Sequence, residues 1–188
     1  MEAFSDGVIA IIITIMVLEL HVPHGDNIRD LLPMLPVLIS YILSFVNVGI
    51  YWNNHHHMLY AAERINGAIL WSNLNLLFWL SLMPFATAWM GENHFARWPV
   101  ILYGFVLIMN GLAYTILCRL LIKEAGADSP LAIALGKDWK GKSSVFIYAA
   151  AIGLAFINPW LAFALYIMVA VMWFIPDKRI EKKLTQAS

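Results

Sequence analysis

Long apolar stretches separated by short polar clusters make up most of the chain, at 4–20, 31–60, 65–90, 98–122, 143–157 and 160–175. A bilayer core of about 30 Å takes about 20 helical residues, so the pattern predicts an all-α, multi-pass membrane protein with six transmembrane helices. The breaks carry helix-ending chemistry: Pro23-His24-Gly25-Asp26-Asn27, Gly91-Glu92-Asn93-His94, the stretch from Gly126 to Gly141, and Asn158-Pro159. The whole of 1–188 reads as a single six-helix domain, with no separate soluble domain and no low-complexity segment.

Within this pattern the first helix is unusual. Only Gly7–Leu18, twelve residues, is free of acidic side chains, and the helix reaches across a bilayer only by including Asp6 and Glu19. Carboxylates facing acyl chains are costly, so such residues turn toward protein or water. Ile11, Ile15 and Leu18 fall at i, i+4 and i+7 on one face, with Thr14 beside them. By itself, an aliphatic stripe at helical spacing reads as packing. The second helix has the opposite character: Ser40, Ser44, Asn47, Tyr51 and then Asn54 or His55 form a polar face that lipid would reject, and interhelical packing accounts for most of it. The third helix adds Asn66, Ser72, Asn73, Asn75, Ser81 and Thr87, and the fourth places Asn110 near its middle.

Basic residues orient the spans, because Lys and Arg are retained on the cytoplasmic side. With the amino terminus inside, ten of the twelve basic residues fall inside: Arg64, Arg119, Lys123, Lys137, Lys140, Lys142, Lys178, Arg179, Lys182 and Lys183. Arg29 and Arg97 fall outside, so both termini are expected in the cytoplasm. The first helix lacks a basic n-region and a small-residue cleavage site, and so is expected to be retained rather than cleaved as a signal peptide. On this topology Ser5, Asp6, Trp52 through His57, and Asn66 through Asn73 share one membrane depth, which gives Asp6 and Ser5 hydrogen-bonding partners on the second and third helices.

Composition narrows the function. Of the residues 61% are apolar and 13% charged, with mean hydropathy +0.73, and twelve Lys+Arg balance twelve Asp+Glu. No basic excess suggests nucleic acid, and the lone Cys118 reads as a small buried apolar residue. His55-His56-His57 contains imidazole, a common zinc ligand, but consecutive helical residues point about 100° apart and do not converge on one ion. No intrinsic metal site or other cofactor is therefore expected. Walker loops, G-x-S-x-G elbows, dinucleotide turns and intramembrane carboxylate pairs are all missing from the sequence, so it does not read as an enzyme.

Phe4-Ser5-Asp6-Gly7-Val8-Ile9-Ala10-Ile11 resembles the F-S-D-G-V-x-A-I motif of the transmembrane protein 175 family, the lysosomal potassium channel and its prokaryotic relatives. Trp52-x-x-His55-His56 and the stretch from Ser72-Asn73-Leu74 to Pro84-Phe85-x-Thr87 resemble the same family. The family pattern has an arginine four residues before the phenylalanine, whereas Met1 stands three before Phe4. The resemblance implies a potassium-selective cation channel without a T-V-G-Y-G filter. It further implies a homotetramer of single six-helix repeats in the prokaryotic plasma membrane, with first helices around a central pore that K⁺ and other monovalent cations enter. By position, Ile11 matches the isoleucine of the narrowest hydrophobic constriction, Ile15 and Leu18 match bulky residues further outward, and Thr14 matches a hydroxyl touching the ion. Phe4, Ser5, Asp6, Trp52, His55, His56 and Asn73 match the family motif that anchors the helices. The alternative is a secondary transporter of a small cation or metabolite, although no three-plus-three repeat or midplane charge supports it.

Overall fold

The computed structural model describes residues 1–60, 62, 64–126, 129, 132 and 139–174. The expectations placed on Lys137, Lys178, Arg179, Lys182 and Lys183 lie outside the described residues. Seven α-helices run through the described residues: α1 (Glu2–Leu18), α2 (Leu35–Tyr60), α3 (Gly67–Ser81), α4 (Met83–Glu92), α5 (Arg97–Ala125), α6 (Trp139–Ala155) and α7 (Pro159–Phe174). A 3₁₀ segment, Ile28–Met34, leads into α2.

The third apolar stretch therefore forms two helices, not one. Pro84 would forfeit the bond to the Leu80 carbonyl in a continuous helix and its ring would clash there. The chain instead ends α3 at Ser81, with Leu82 as the cap, and restarts with Pro84 in the first turn of α4. Ser81 Oγ donates to the Phe78 carbonyl at 2.7 Å, a back-bond that also bends helices. With α3 and α4 taken as one stretch of 26 residues, the described α-helices amount to six. Three are long and apolar enough to cross a membrane by length and composition: Ile28–Tyr60, Gly67–Glu92 and Arg97–Ala125. The other three are shorter, at 17 residues for α1, 17 for α6 and 16 for α7.

Helix starts follow local chemistry. Asn66 caps α3 by accepting from Ile69 N–H at 3.0 Å. Asn158 caps α7 through Trp160 N–H at 2.9 Å, and Pro159 occupies the first helical position, where no N–H is needed. Asn27 and Asp30 form a reciprocal capping box ahead of the 3₁₀ segment. Between α4 and α5 the turn passes through His94 and Phe95 with φ of 51° and 59°, the left-handed region. Burial of the Phe95 ring against Trp160 and Phe163, with centroids 4.7 and 4.5 Å away, holds that bulky residue there.

Helices α5, α6 and α7 pack on one another, while α1 packs mainly against α2, α3 and α4 at the edge of the bundle. The core runs through Val48, Leu76, Leu107, Leu117 and Ala151, all fully enclosed. Cys118 is buried, with Sγ 3.3 Å from Met58 Sδ. Most of the polar stripe of α2 turns away from α1 into this core. Ser44 Oγ meets the Tyr103 hydroxyl at 3.0 Å and accepts from Thr87 Oγ1 at 2.7 Å. Asn47, Tyr51 and Asn54 then line an internal cavity of about 40 Å³ shared with Thr115, Ser144 and Tyr148.

Candidate functional site

Two faces of α1 carry the residues singled out by the sequence. Ser5, Ile9, Ile12 and Met16 recur at helical spacing and are buried against the neighbouring helices. The opposite face is uncovered over the length of the helix: Phe4, Gly7, Ile11, Thr14, Ile15 and Leu18. Ile11 is 59% exposed and Leu18 72%, whereas Ile9 and Ile12 are at 2% and 3%. The structure thus places Ile11, Ile15 and Leu18 together on one unpartnered aliphatic strip. Thr14 Oγ1 lies beside them on the exposed face and donates its proton to the Ala10 carbonyl at 2.9 Å.

At the amino-terminal end of α1 a polar cluster joins three helices. Asn73 on α3 donates from Nδ2 to Ser5 Oγ at 2.9 Å, and its Oδ1 meets His55 Nε2 of α2 at 2.7 Å. All three side chains are buried, at 0%, 2% and 1% exposure for Ser5, Asn73 and His55. Because an amide oxygen only accepts, His55 carries its proton on Nε2. Ser5 Oγ in turn reaches the Met1 carbonyl at 3.2 Å. In the more exposed layer Trp52 Nε1 donates to Asp6 Oδ1 at 3.0 Å. The Trp52 ring stacks on His56 with centroids 5.9 Å apart, and His56 Nδ1 stands 2.9 Å from Glu2 Oε1. Phe4 takes no part in the cluster; it is exposed on the uncovered face.

The three successive histidines do diverge, as helical geometry requires. His55 turns inward to Asn73, His56 turns toward α1, and His57 is exposed. Glu2 was not singled out in the sequence; its signal is that it precedes Asp6 by one helical turn and so shares its face. Two further polar residues are sorted only by the fold. Asn75 and Ser81 sit on the uncovered side of α3, whereas Ser72, Asn73 and Thr87 are buried. Asn110 is fully enclosed in α5 with neither amide atom hydrogen-bonded.

Known proteins share this architecture. Residues 1–84 match the family described as endosomal/lysosomal potassium channel TMEM175. A potassium channel of Chryseobacterium sp. is 53% identical, over 99% of this chain and 97% of that protein. A potassium channel of Streptomyces collinus is 30% identical, over 92% of this chain and 89% of its own length. The crystal structure of a lysosomal potassium-selective channel TMEM175 homolog from Chamaesiphon minutus superposes with a TM-score of 0.79. It is 29% identical and covers 93% of this chain and 94% of that one. These relatives are ion channels, not enzymes. With similarity running over nearly its full length, the chain is a multi-pass membrane protein that belongs to the TMEM175 family.

Proposed function

We propose that the chain forms a potassium-selective channel of the prokaryotic plasma membrane, a homotetramer in which the uncovered faces of four α1 helices meet around the pore. The carrying observation is the division of α1 itself: one face fully packed, the other an aliphatic strip bracketed by Asp6 and Glu19. Only Gly7–Leu18 of α1 is free of acidic side chains, about 18 Å of helix, too short to stand comfortably against lipid. Asn75, exposed midway along α3, supports assembly as well, since an amide facing hydrocarbon is costly and a neighbouring subunit would cover it. The arrangement of charge fits both termini in the cytoplasm: Arg64, Arg119, Lys123 and Lys140 lie at the end of the bundle that carries Glu2.

In this reading Ile11 forms the narrowest ring, with Ile15 and Leu18 further outward. Four isoleucines offer no ligand to a dehydrated cation, so the ring closes by dewetting and conducts when it widens enough to admit hydration water. K⁺ loses its water more cheaply than Na⁺, and the exposed Thr14 hydroxyl would replace part of what is lost. Ser5, Asp6, Trp52, His55, His56 and Asn73 hold the inner end of α1 and so set where its strip points.

Purified protein in liposomes with K⁺ and Na⁺ gradients tests the proposal. Ile11→Asn raises cation flux and moves the reversal potential toward that of a non-selective pore. Unchanged flux and reversal potential would remove Ile11 from the constriction, and absence of K⁺ flux from the unaltered protein would remove the channel reading. The secondary-transporter alternative would need a saturating, counter-ion-dependent flux. Nothing favours it: among the described residues no charged side chain lies mid-span.

A further inference from the structure

Three neighbouring histidines cannot share an ion, but the donors that meet His56 come from another helix. His56 Nδ1, a carboxylate oxygen of Glu2 and a carboxylate oxygen of Asp6 all lie within 4.8 Å of one another. Glu2 and Asp6 are one turn apart on α1, so both carboxylates leave the same face toward α2. Four observations separate this set from an ordinary acidic cluster. It mixes an imidazole with two carboxylates. His56 Nδ1 is shielded from solvent and, although 2.9 Å from Glu2 Oε1, makes no aligned hydrogen bond. Asp6 is oriented through Oδ1 by the Trp52 indole, which also stacks on the His56 ring, so two of the three donors are held before any ligand arrives. Beneath them the buried Ser5–Asn73–His55 bonds fix the separation of α1 and α2.

We propose that Glu2, Asp6 and His56 bind a first-row divalent transition-metal ion, of the class of Zn²⁺ or Co²⁺, which clamps the first turn of α1 to α2 while water completes its coordination. Ligand bonds of about 2.0–2.2 Å place donor atoms roughly 3.3 Å apart around a tetrahedral ion. The three donors therefore close on such an ion through side-chain adjustments of about 1 Å or less, without backbone movement. One imidazole with two carboxylates suits these metals and not K⁺, which prefers neutral oxygens, or Mg²⁺, which demands a nearly ideal octahedron of oxygens. The site belongs to the joint between two helices of one chain and stands whether or not α1 lines a pore.

The test uses the full-length protein in detergent, free of any polyhistidine tag. Co²⁺ is followed by its visible d–d absorption and Zn²⁺ by calorimetry and by the shift in melting temperature. Expected are one ion per chain, a rise in melting temperature, and an affinity lowered at least about tenfold by Glu2→Gln and by His56→Gln. Glu2→Gln leaves the buried bonds to Ser5 and Asn73 intact, so it distinguishes loss of a ligand from loss of folding. His57→Gln, altering the exposed neighbour, leaves binding as it was. Equal affinity in the unaltered protein, Glu2→Gln and His56→Gln would overturn the proposal, as would loss of binding in His57→Gln alone.

Discussion

Replacing Asn73 with alanine removes a side chain that bonds α1 and α2 at once. Its Nδ2 bond to Ser5 and its Oδ1 bond to His55, at 2.9 and 2.7 Å, both disappear, and His55 Nε2–H is left without an acceptor in a site closed to water. Side-chain bonds between membrane helices are worth about 0.6–2 kcal/mol each, so two give about 1–4 kcal/mol. Stranding the imidazole proton, at about 1–3 kcal/mol for a buried unmade bond, pushes the result toward the upper half of that range. The assay is thermal or denaturant unfolding in detergent, followed by size-exclusion and circular dichroism, with Ser5→Ala and the double variant completing a cycle. A coupling energy of about 0.6–1.7 kcal/mol between the two sites is expected. The adjacent Ser72 is the control: its hydroxyl is buried without a hydrogen bond, so Ser72→Ala is neutral or slightly stabilising. Unchanged stability in Asn73→Ala with a coupling of zero would refute the claim that this amide ties the helices, whatever its distances.

Other outcomes follow from single contacts. Trp52→Phe and Asp6→Asn weaken the same joint by less than Asn73→Ala, on the order of 1 kcal/mol or below, because the Trp52–Asp6 bond is exposed to solvent; the same melts check the order. Gly91→Ala puts a methyl 2.7 Å from Val37 Cα and 2.5 Å from Ser40 Oγ, where α4 crosses α2. Since backbone cannot yield as a side-chain tip can, it lowers stability by about 1–3 kcal/mol. Asn110→Leu, which replaces an enclosed amide lacking any hydrogen bond with an apolar side chain of the same branched shape, raises the melting temperature. Ile11→Asn, read by liposome flux, leaves folding nearly unchanged because the position is uncovered within the chain.

The apolar runs alone place six helical segments, because the cost of burying an unbonded peptide in hydrocarbon forces the chain into helices. They also single out α1, since a twelve-residue core between Asp6 and Glu19 is too short for lipid by arithmetic that needs no coordinates. The eight-residue motif opening that helix identifies the family. Local rules settle Asn158 and Pro159 at a helix start, whereas Asn66, read as lying inside the third helix, caps it. What periodicity could not settle is which side of an apolar helix is covered. Ile9 and Ile11 are chemically alike and two residues apart, yet one is enclosed and the other open, and hydrophobicity is the same toward lipid, protein or pore. The same limit applies to polar residues. Asn73 and Asn75 differ only in which neighbour they meet, and Asn73 finds Ser5 and His55 across 68 and 18 positions of chain. The Leu82 break was written in Pro84, but proline permits a kink as well as a restart; the structure shows a restart, with α4 packed against α2. Glu2 gained meaning only when α2 brought His56 beside it. The sequence, then, determined the solvent each segment lives in, because transfer energies are properties of single residues. Tertiary structure decided which side chains face one another, because hydrogen bonds and ligand sets depend on distances that the sequence holds only collectively.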